Sequence, residues 1–134
     1  MSFDIYIGAF EKNGQPRPIS RALIERAFGS FADMSDPTRW KVADSAAVIQ
    51  LDDVAPDVVN FAVNRPPGGD HPFWPALLNL LRETSSTLYW PGAPGPIVTD
   101  QSVGENLPPR MIKGLGPAQV VTSIEDIFRL ISES

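Results

Sequence analysis

One segment of the chain combines residue types that can hold an anion. The run Asn64-Arg65-Pro66-Pro67-Gly68-Gly69-Asp70-His71 follows a strand-like stretch and precedes a helix-like one, and backbone N–H groups at such a junction bind anions. Arg65 would clamp a carboxylate or phosphate with two parallel hydrogen bonds. Gly68 and Gly69 would let the backbone approach it closely, and His71 would be the titrating group. These four residues are the candidate anion-binding site.

The same segment has a structural alternative. A Walker loop needs Lys and Ser or Thr after its last glycine, and a dinucleotide-binding loop needs G-x-G-x-x-G; the segment has neither. In the alternative, a glycine supplies a positive φ and Asp70 or His71 caps the next helix. His71 is the only histidine, and the adjacent Asp70 is poorly placed to orient it for proton transfer. The sequence therefore predicts no catalytic residue and leans against an enzyme.

The amino-acid composition excludes several chemistries. With no cysteine and one histidine, the chain cannot form Cys-based metal centres, thiolate nucleophiles or any motif that needs two histidines. Ser85 and Ser86 follow a helix without the G-x-S-x-G turn of serine hydrolases. We therefore predict no metal site and no cofactor.

Acidic residues are concentrated in the middle of the chain. Residues 43–64 contain Asp44, Asp52, Asp53 and Asp57 and no basic residue. These four aspartates are the first part of a predicted docking surface for a basic partner, because complementary charge accelerates association and selects partners. The alternative is an ordinary solvated face.

Two aromatic residues precede a proline-rich loop. Tyr89 and Trp90 stand before the run 91–96, which holds three prolines and only small residues between them. Such a loop is stiff, and Tyr and Trp are enriched among binding hot spots, so we predict that both rings contact a partner. The alternative for both is a place in the core.

The elements that must position these residues follow from periodicity and turn signals. Strands are predicted at 3–7, 40–42, 46–51, 58–64, 87–90, 97–99 and 118–121, and helices at 21–28, 75–84, 109–115 and after Thr122 or Ser123. Trp74, Leu77, Leu78 and Leu81 form one apolar helical face. This order predicts an α+β fold of two layers, with a mixed, mostly antiparallel sheet and three to four helices packed on one face.

The strand–helix–strand unit across 58–90 predicts a second wall for the anion site. A parallel crossover places the loops that follow its two strands at the same edge of the sheet. Loops 65–71 and 91–96 would then be neighbours. A small ligand or anion would bind between them.

Length and charge set the class of protein. The 134 residues predict a single domain over 1–134, and the 43% of hydrophobic residues is typical of a globular chain. A net charge of −5 disfavours nucleic acid and anionic membranes as partners. The start of the chain shows no secretory signal, so we expect a soluble, cytoplasmic protein.

A small, acidic, one-domain chain with no catalytic constellation and no nucleic-acid footprint resembles the bacterial immunity proteins, which bind and block a cognate toxin. The resemblance lies in this overall character. It implies a protein partner, such as a basic toxin domain, blocked by surface occlusion. The alternatives are a small-ligand or anion-binding α+β domain, with or without enzyme activity, and a structural subunit of a larger complex.

Overall fold

A computed structural model describes residues 3–134 of the protein. Met1 and Ser2, which belong to the N-terminal segment considered above for a secretory signal, lie outside the described residues. The strands are β1 (Ile5–Phe10), β2 (Pro16–Arg17), β3 (Ile19–Ser20), β4 (Ala32–Asp33), β5 (Arg39–Val42), β6 (Val48–Leu51), β7 (Asp57–Val58), β8 (Asn60–Asn64), β9 (Thr87–Tyr89), β10 (Ile97–Val98) and β11 (Gln119–Val120). The helices are α1 (Arg21–Phe28), α2 (Phe73–Thr84), α3 (Gln101–Gly104), α4 (Pro109–Leu115) and α5 (Ile124–Ser132).

Nine of the described strands join into one sheet. Its order is β11-β10-β9-β1-β8-β6-β5-β4, with β2 pairing with the end of β1. The pairing of β10 with β11 is parallel, and the other pairings in this sheet are antiparallel. A small separate ladder joins β3 to β7. The predicted α+β fold with a mostly antiparallel sheet is confirmed.

Strand β1 lies at the centre of the sheet. It pairs antiparallel with both β8 and β9, so these two strands run in the same direction on either side of it. Helix α2 connects them. The loops after residues 64 and 90 therefore leave the same edge of the sheet, as predicted, but they do so on opposite sides of β1.

The core lies between one face of the sheet and helices α1, α2 and α5. Strand alternation sends Ile5 and Ile7 to this face, and both are fully buried. The Phe28 ring of α1 stacks on the Phe73 ring of α2 at 5.4 Å between centroids. The predicted stripe of α2 is buried throughout: Trp74, Leu77, Leu78 and Leu81.

The two short helices lie on the opposite face of the sheet. There Val98, Val103 and Leu107 form a second small cluster, against which Phe10 and Met111 pack. Helices α3 and α4 thus cover the face at β10 and β11 and near the end of β1. The predicted number of three to four helices on one face is met by α1, α2 and α5, whereas the short helices α3 and α4 pack on the other face.

No described helix covers the rest of the side of the sheet that carries α3 and α4, and we call this part the open face. Its outward side chains come from β9, β1, β8, β6 and β5, where the register aligns Tyr89, Tyr6, Ala62, Gln50 and Arg39 in one row across the strands. Each of the five is partly or fully exposed. The open face is therefore available to a ligand or partner.

Some predicted boundaries shift for local reasons. Helix α2 begins at Phe73 rather than at Pro75, because proline is tolerated in a first turn whose N–H groups have no helical acceptor. The predicted strand 58–64 is divided between β7 and β8, which pair with different partners. The strand predicted at 118–121 is found as β11, which lies at the sheet edge with Val120 48% exposed.

Candidate binding surfaces

His71 is bonded within the fold through both ring nitrogens. The Phe73 backbone N–H donates to Nδ1 at 3.0 Å, so Nε2 carries the proton and donates to the Ala43 carbonyl at 2.7 Å. The ring also lies edge-on to Phe31 at 5.4 Å. From the position before the N-cap Pro72, His71 thus accepts from the first N–H of α2, as a capping side chain does, and ties the helix to the β5–β6 hairpin. This is close to the capping role that the sequence offered as the alternative to anion binding.

The glycines of the same segment pack closely against neighbouring side chains. The positive φ that we expected at a glycine occurs at Arg65, with φ 52°, and Arg65 is exposed. The carbonyl of Gly68 accepts from the Trp74 indole at 3.1 Å. A Cβ on Gly69 would lie 3.3 Å from the Phe128 ring. The segment is thus held in place by the hydrogen bond from Trp74 to its carbonyl group and by its packing against the Phe128 ring.

Trp90 belongs to the core. It is 1% exposed, its indole Nε1 donates to Ser134 Oγ at 3.1 Å, and its ring lies 5.7 Å from that of Phe3. The expectation that the loop presents this indole to a partner is therefore corrected. The physical reason is that Trp90 extends β9 next to the central strand, where the indole fills the interior.

Loops 65–71 and 91–96 are built into different parts of the fold. Gly95 packs so tightly on the chain before β11 that a Cβ there would lie 1.9 Å from the Pro117 carbonyl oxygen. The contacts of His71 and Gly69 are instead with Phe31, Ala43 and Phe128. A site shared by the two loops therefore stays a prediction.

The four predicted docking aspartates do not form one patch. Asp44 lies in the turn before β6, with φ 57°, and Asp52 follows β6. At about 3.3 Å per residue, the four-residue strand separates its two ends by about 13 Å. Asp53 accepts from the Val54 N–H, and Asp57 lies in the separate β3–β7 ladder. All four are exposed, but only Asp52 joins the open face.

The Ala62 hollow is a concave site on the open face. It has a volume of about 280 Å³. Register places Ala62 between Tyr6 and Gln50 on the neighbouring strands, so a methyl group forms the floor between two longer side chains. The remaining lining residues are polar: Asp4, Asp52, Asn60 and Asn64.

Hydrogen bonds and ring contacts order the walls of the hollow. Gln50 Oε1 accepts from Asn64 Nδ2 at 3.3 Å and from Arg39 at 3.4 Å. Tyr6 stacks on Tyr89 with 5.7 Å between ring centroids. Burial, followed by the influence of Tyr6 and of Asp52, raises the pKa of Tyr89 above its ordinary value of 10.0. Tyr89 is thus a neutral phenol at physiological pH.

The Ala62 hollow is suited to a cation. Its two exposed carboxylates, Asp4 and Asp52, are acceptors only, and the Tyr6 ring also favours positive charge. Of the residues that line the hollow, sequence reasoning identified Asp52 and missed the others. The outward alternation of Tyr6 with Ile5 and Ile7 was the available signal.

Comparison with other proteins adds no assignment. No protein family matches the chain, and no curated protein or solved structure is significantly similar to it. Within residues 3–134, no three His, Asp or Glu side chains are grouped to hold a metal ion. No helix in the same range is long and apolar enough to span a bilayer.

Proposed function

We propose that the protein is a binding protein of the immunity type, which neutralises a basic toxin domain by covering part of its surface. The observation that carries this proposal is the Ala62 hollow. It combines a small apolar floor with carboxylates on an exposed, strand-built surface. Such a site receives a long cationic side chain from a partner.

A lysine or arginine side chain of the partner fits the hollow through its aliphatic stem and its charged head group. The aliphatic stem would lie over Ala62 and the Tyr6 ring, since such stems cover apolar surface while the charged head stays polar. The head would bond to Asp52 or Asp4, and charge-assisted hydrogen bonds are stronger than neutral ones. The net charge of −5 would steer a basic partner toward the chain.

The surroundings of the hollow favour a protein partner. The open face is made of paired strands, so little backbone ordering is needed on binding. Tyr6 and Tyr89 supply partly exposed rings on this face, and tyrosine is enriched in hot spots. Blocking a toxin by occlusion requires this kind of surface and no catalytic group.

The test captures a partner from an extract of the source cells on the immobilised full chain. The partner is then purified, and its enzymatic activity is titrated with the chain. We expect a basic protein that is inhibited at one equivalent. Ala62→Phe, which fills the hollow, should abolish inhibition, whereas the amide NMR spectrum of the variant stays that of a folded protein.

Reversing the charge of Asp52 tests whether electrostatic attraction accelerates association with the partner. Asp52→Lys should slow association chiefly through kon, and the defect should shrink as salt shortens the Debye length from ~10 Å at 0.1 M to ~3 Å at 1 M. Asp57→Lys makes the same change of charge outside the hollow and is the matched control. A partner that is acidic, or that still binds Ala62→Phe with unchanged affinity, refutes the proposal.

A further inference from the structure

A second concavity lies where helix α4 meets the open face. The Tyr89 groove, with a volume of about 540 Å³, is formed by the β1–β2 turn at Gly14, by Tyr89, and by the segment from Pro108 to Leu115. Its volume falls within the range of roughly 300–1,000 Å³ that is usual for small-molecule sites. It is separate from the Ala62 hollow and shares the Tyr6–Tyr89 stack as a wall.

The walls of the groove are preformed. Gly14 has φ 79°, and a Cβ on it would lie 3.3 Å from Pro108 Cα, so the turn and the start of α4 are in close contact. Asn13 Oδ1 accepts from the Gln15 N–H at 3.0 Å and fixes the turn. Pro108 and the following proline restrict the opposite wall. A ligand would therefore find the groove already shaped, which lowers the entropic cost of binding.

The lining gives the groove a charge opposite to that of the hollow. Met111 and Leu115 provide an apolar surface, and Arg110 provides a cation. Arg110 is exposed, and no carboxylate among residues 3–134 lies within ion-pairing distance of it. Tyr89 adds a neutral phenol, whose pKa is raised chiefly by burial.

We infer that the Tyr89 groove binds a small molecule that has an apolar body and a carboxylate, with the carboxylate paired to Arg110. The guanidinium fork matches a carboxylate in two hydrogen bonds. The apolar body is placed against Met111 and Leu115. This site goes beyond the proposed function, because it uses residues outside the hollow and prefers the opposite charge.

The experiment compares two probes of nearly equal shape on the full chain. Phenylbutyrate carries the carboxylate, and phenylbutyramide replaces it with a neutral amide. Each is titrated to millimolar concentration while the amide NMR spectrum is recorded. We expect saturable shifts at Gly14, Gln15, Met111 and Leu115, with the carboxylate bound roughly tenfold more tightly, a ratio that corresponds to about 1.4 kcal/mol.

Two variants in α4 test whether Arg110 causes the preference for the carboxylate probe. Arg110→Gln should remove the preference for the carboxylate, so that both probes bind with the weaker affinity. Lys113→Gln removes one exposed positive charge outside the lining and should leave the preference intact. Equal binding of the two probes to the natural chain, shifts centred elsewhere, or loss of preference in Lys113→Gln overturns the inference. Binding of a toxin partner in the hollow is measured separately and does not bear on it.

Discussion

Replacing His71 with alanine separates a structural histidine from a functional one. The substitution removes the acceptor of the Phe73 N–H, the donor to the Ala43 carbonyl, and the ring that lies on Phe31. It therefore frees the start of α2 from the β5–β6 hairpin. We expect a folded protein with a clearly lower stability.

The size of this loss follows from the three contacts. Loss of a helix cap costs about 0.5–2 kcal/mol, a net hydrogen bond contributes about 1 kcal/mol, and an aromatic pair contributes about 0.5–1.5 kcal/mol. His71→Ala should therefore lower the free energy of unfolding by about 2–4 kcal/mol. With an unfolding entropy of about 2.1 cal/mol/K per residue, a chain of 134 residues then loses about 7–14 °C in Tm.

Calorimetry of two further variants checks the cause. His71→Asn keeps an acceptor for the Phe73 N–H, because asparagine is a good cap, and should recover about 1 kcal/mol of the loss. Asp70→Ala changes an exposed neighbour and should leave Tm nearly unchanged. An unchanged Tm in His71→Ala, or a His71→Asn variant no more stable than His71→Ala, would refute the assignment of His71 as a cap.

Three other outcomes are expected from single measurements. Leu78→Ala should cost about 2–5 kcal/mol in urea unfolding, because it opens a cavity in the core, whereas Asn79→Ala on the exposed side of α2 should cost little. Burial raises the pKa of Tyr89 in the folded protein above its value of 10.0 in the unfolded chain. The contribution of Tyr89 to stability should therefore be full below pH 10.0 and decline at higher pH. An absorbance titration should show that Tyr89 ionises above pH 10.0. The Thr122 N–H holds the pKa of Asp126 below its ordinary 3.8. The ionised Asp126 therefore stabilises the folded protein above that pH, and this stabilisation is lost as acid protonates the folded carboxylate. Asp126→Asn should weaken this dependence of the free energy of unfolding on acid.

The sequence predicts those elements whose signals are local. Helix α1 at Arg21–Phe28 and helix α4 at Pro109–Leu115 have the predicted bounds, because periodicity and flanking Gly or Pro act within one segment. The cap of α5 is confirmed as well, since Ser123 Oγ accepts from the Asp126 N–H at 3.3 Å. At α1, by contrast, Ser20 forms no side-chain capping bond.

Features that depend on pairing between distant segments escape sequence reasoning. Strands β3 and β7 are two residues each and exist only because Ile19 pairs with Val58. The Ala62 hollow likewise needs the register of three strands, which no single segment specifies. Trp90 was open to both assignments because a ring on a short strand next to a proline gives no sign of which side will be covered.

Side chains at the start of β1 alternate between the core, where they stabilise the fold, and the open face, where they are free to contact a partner. Ile5 and Ile7 point into the core, whereas Tyr6 points to the open face between them. Substitutions on exposed positions away from caps and cores usually change stability by less than ~0.5 kcal/mol, so Asp52→Lys should alter the surface without unfolding the sheet beneath it. Binding defects in that variant can then be attributed to the hollow, while His71→Ala, which weakens the fold behind it, should leave the affinity of the folded protein for a partner unchanged.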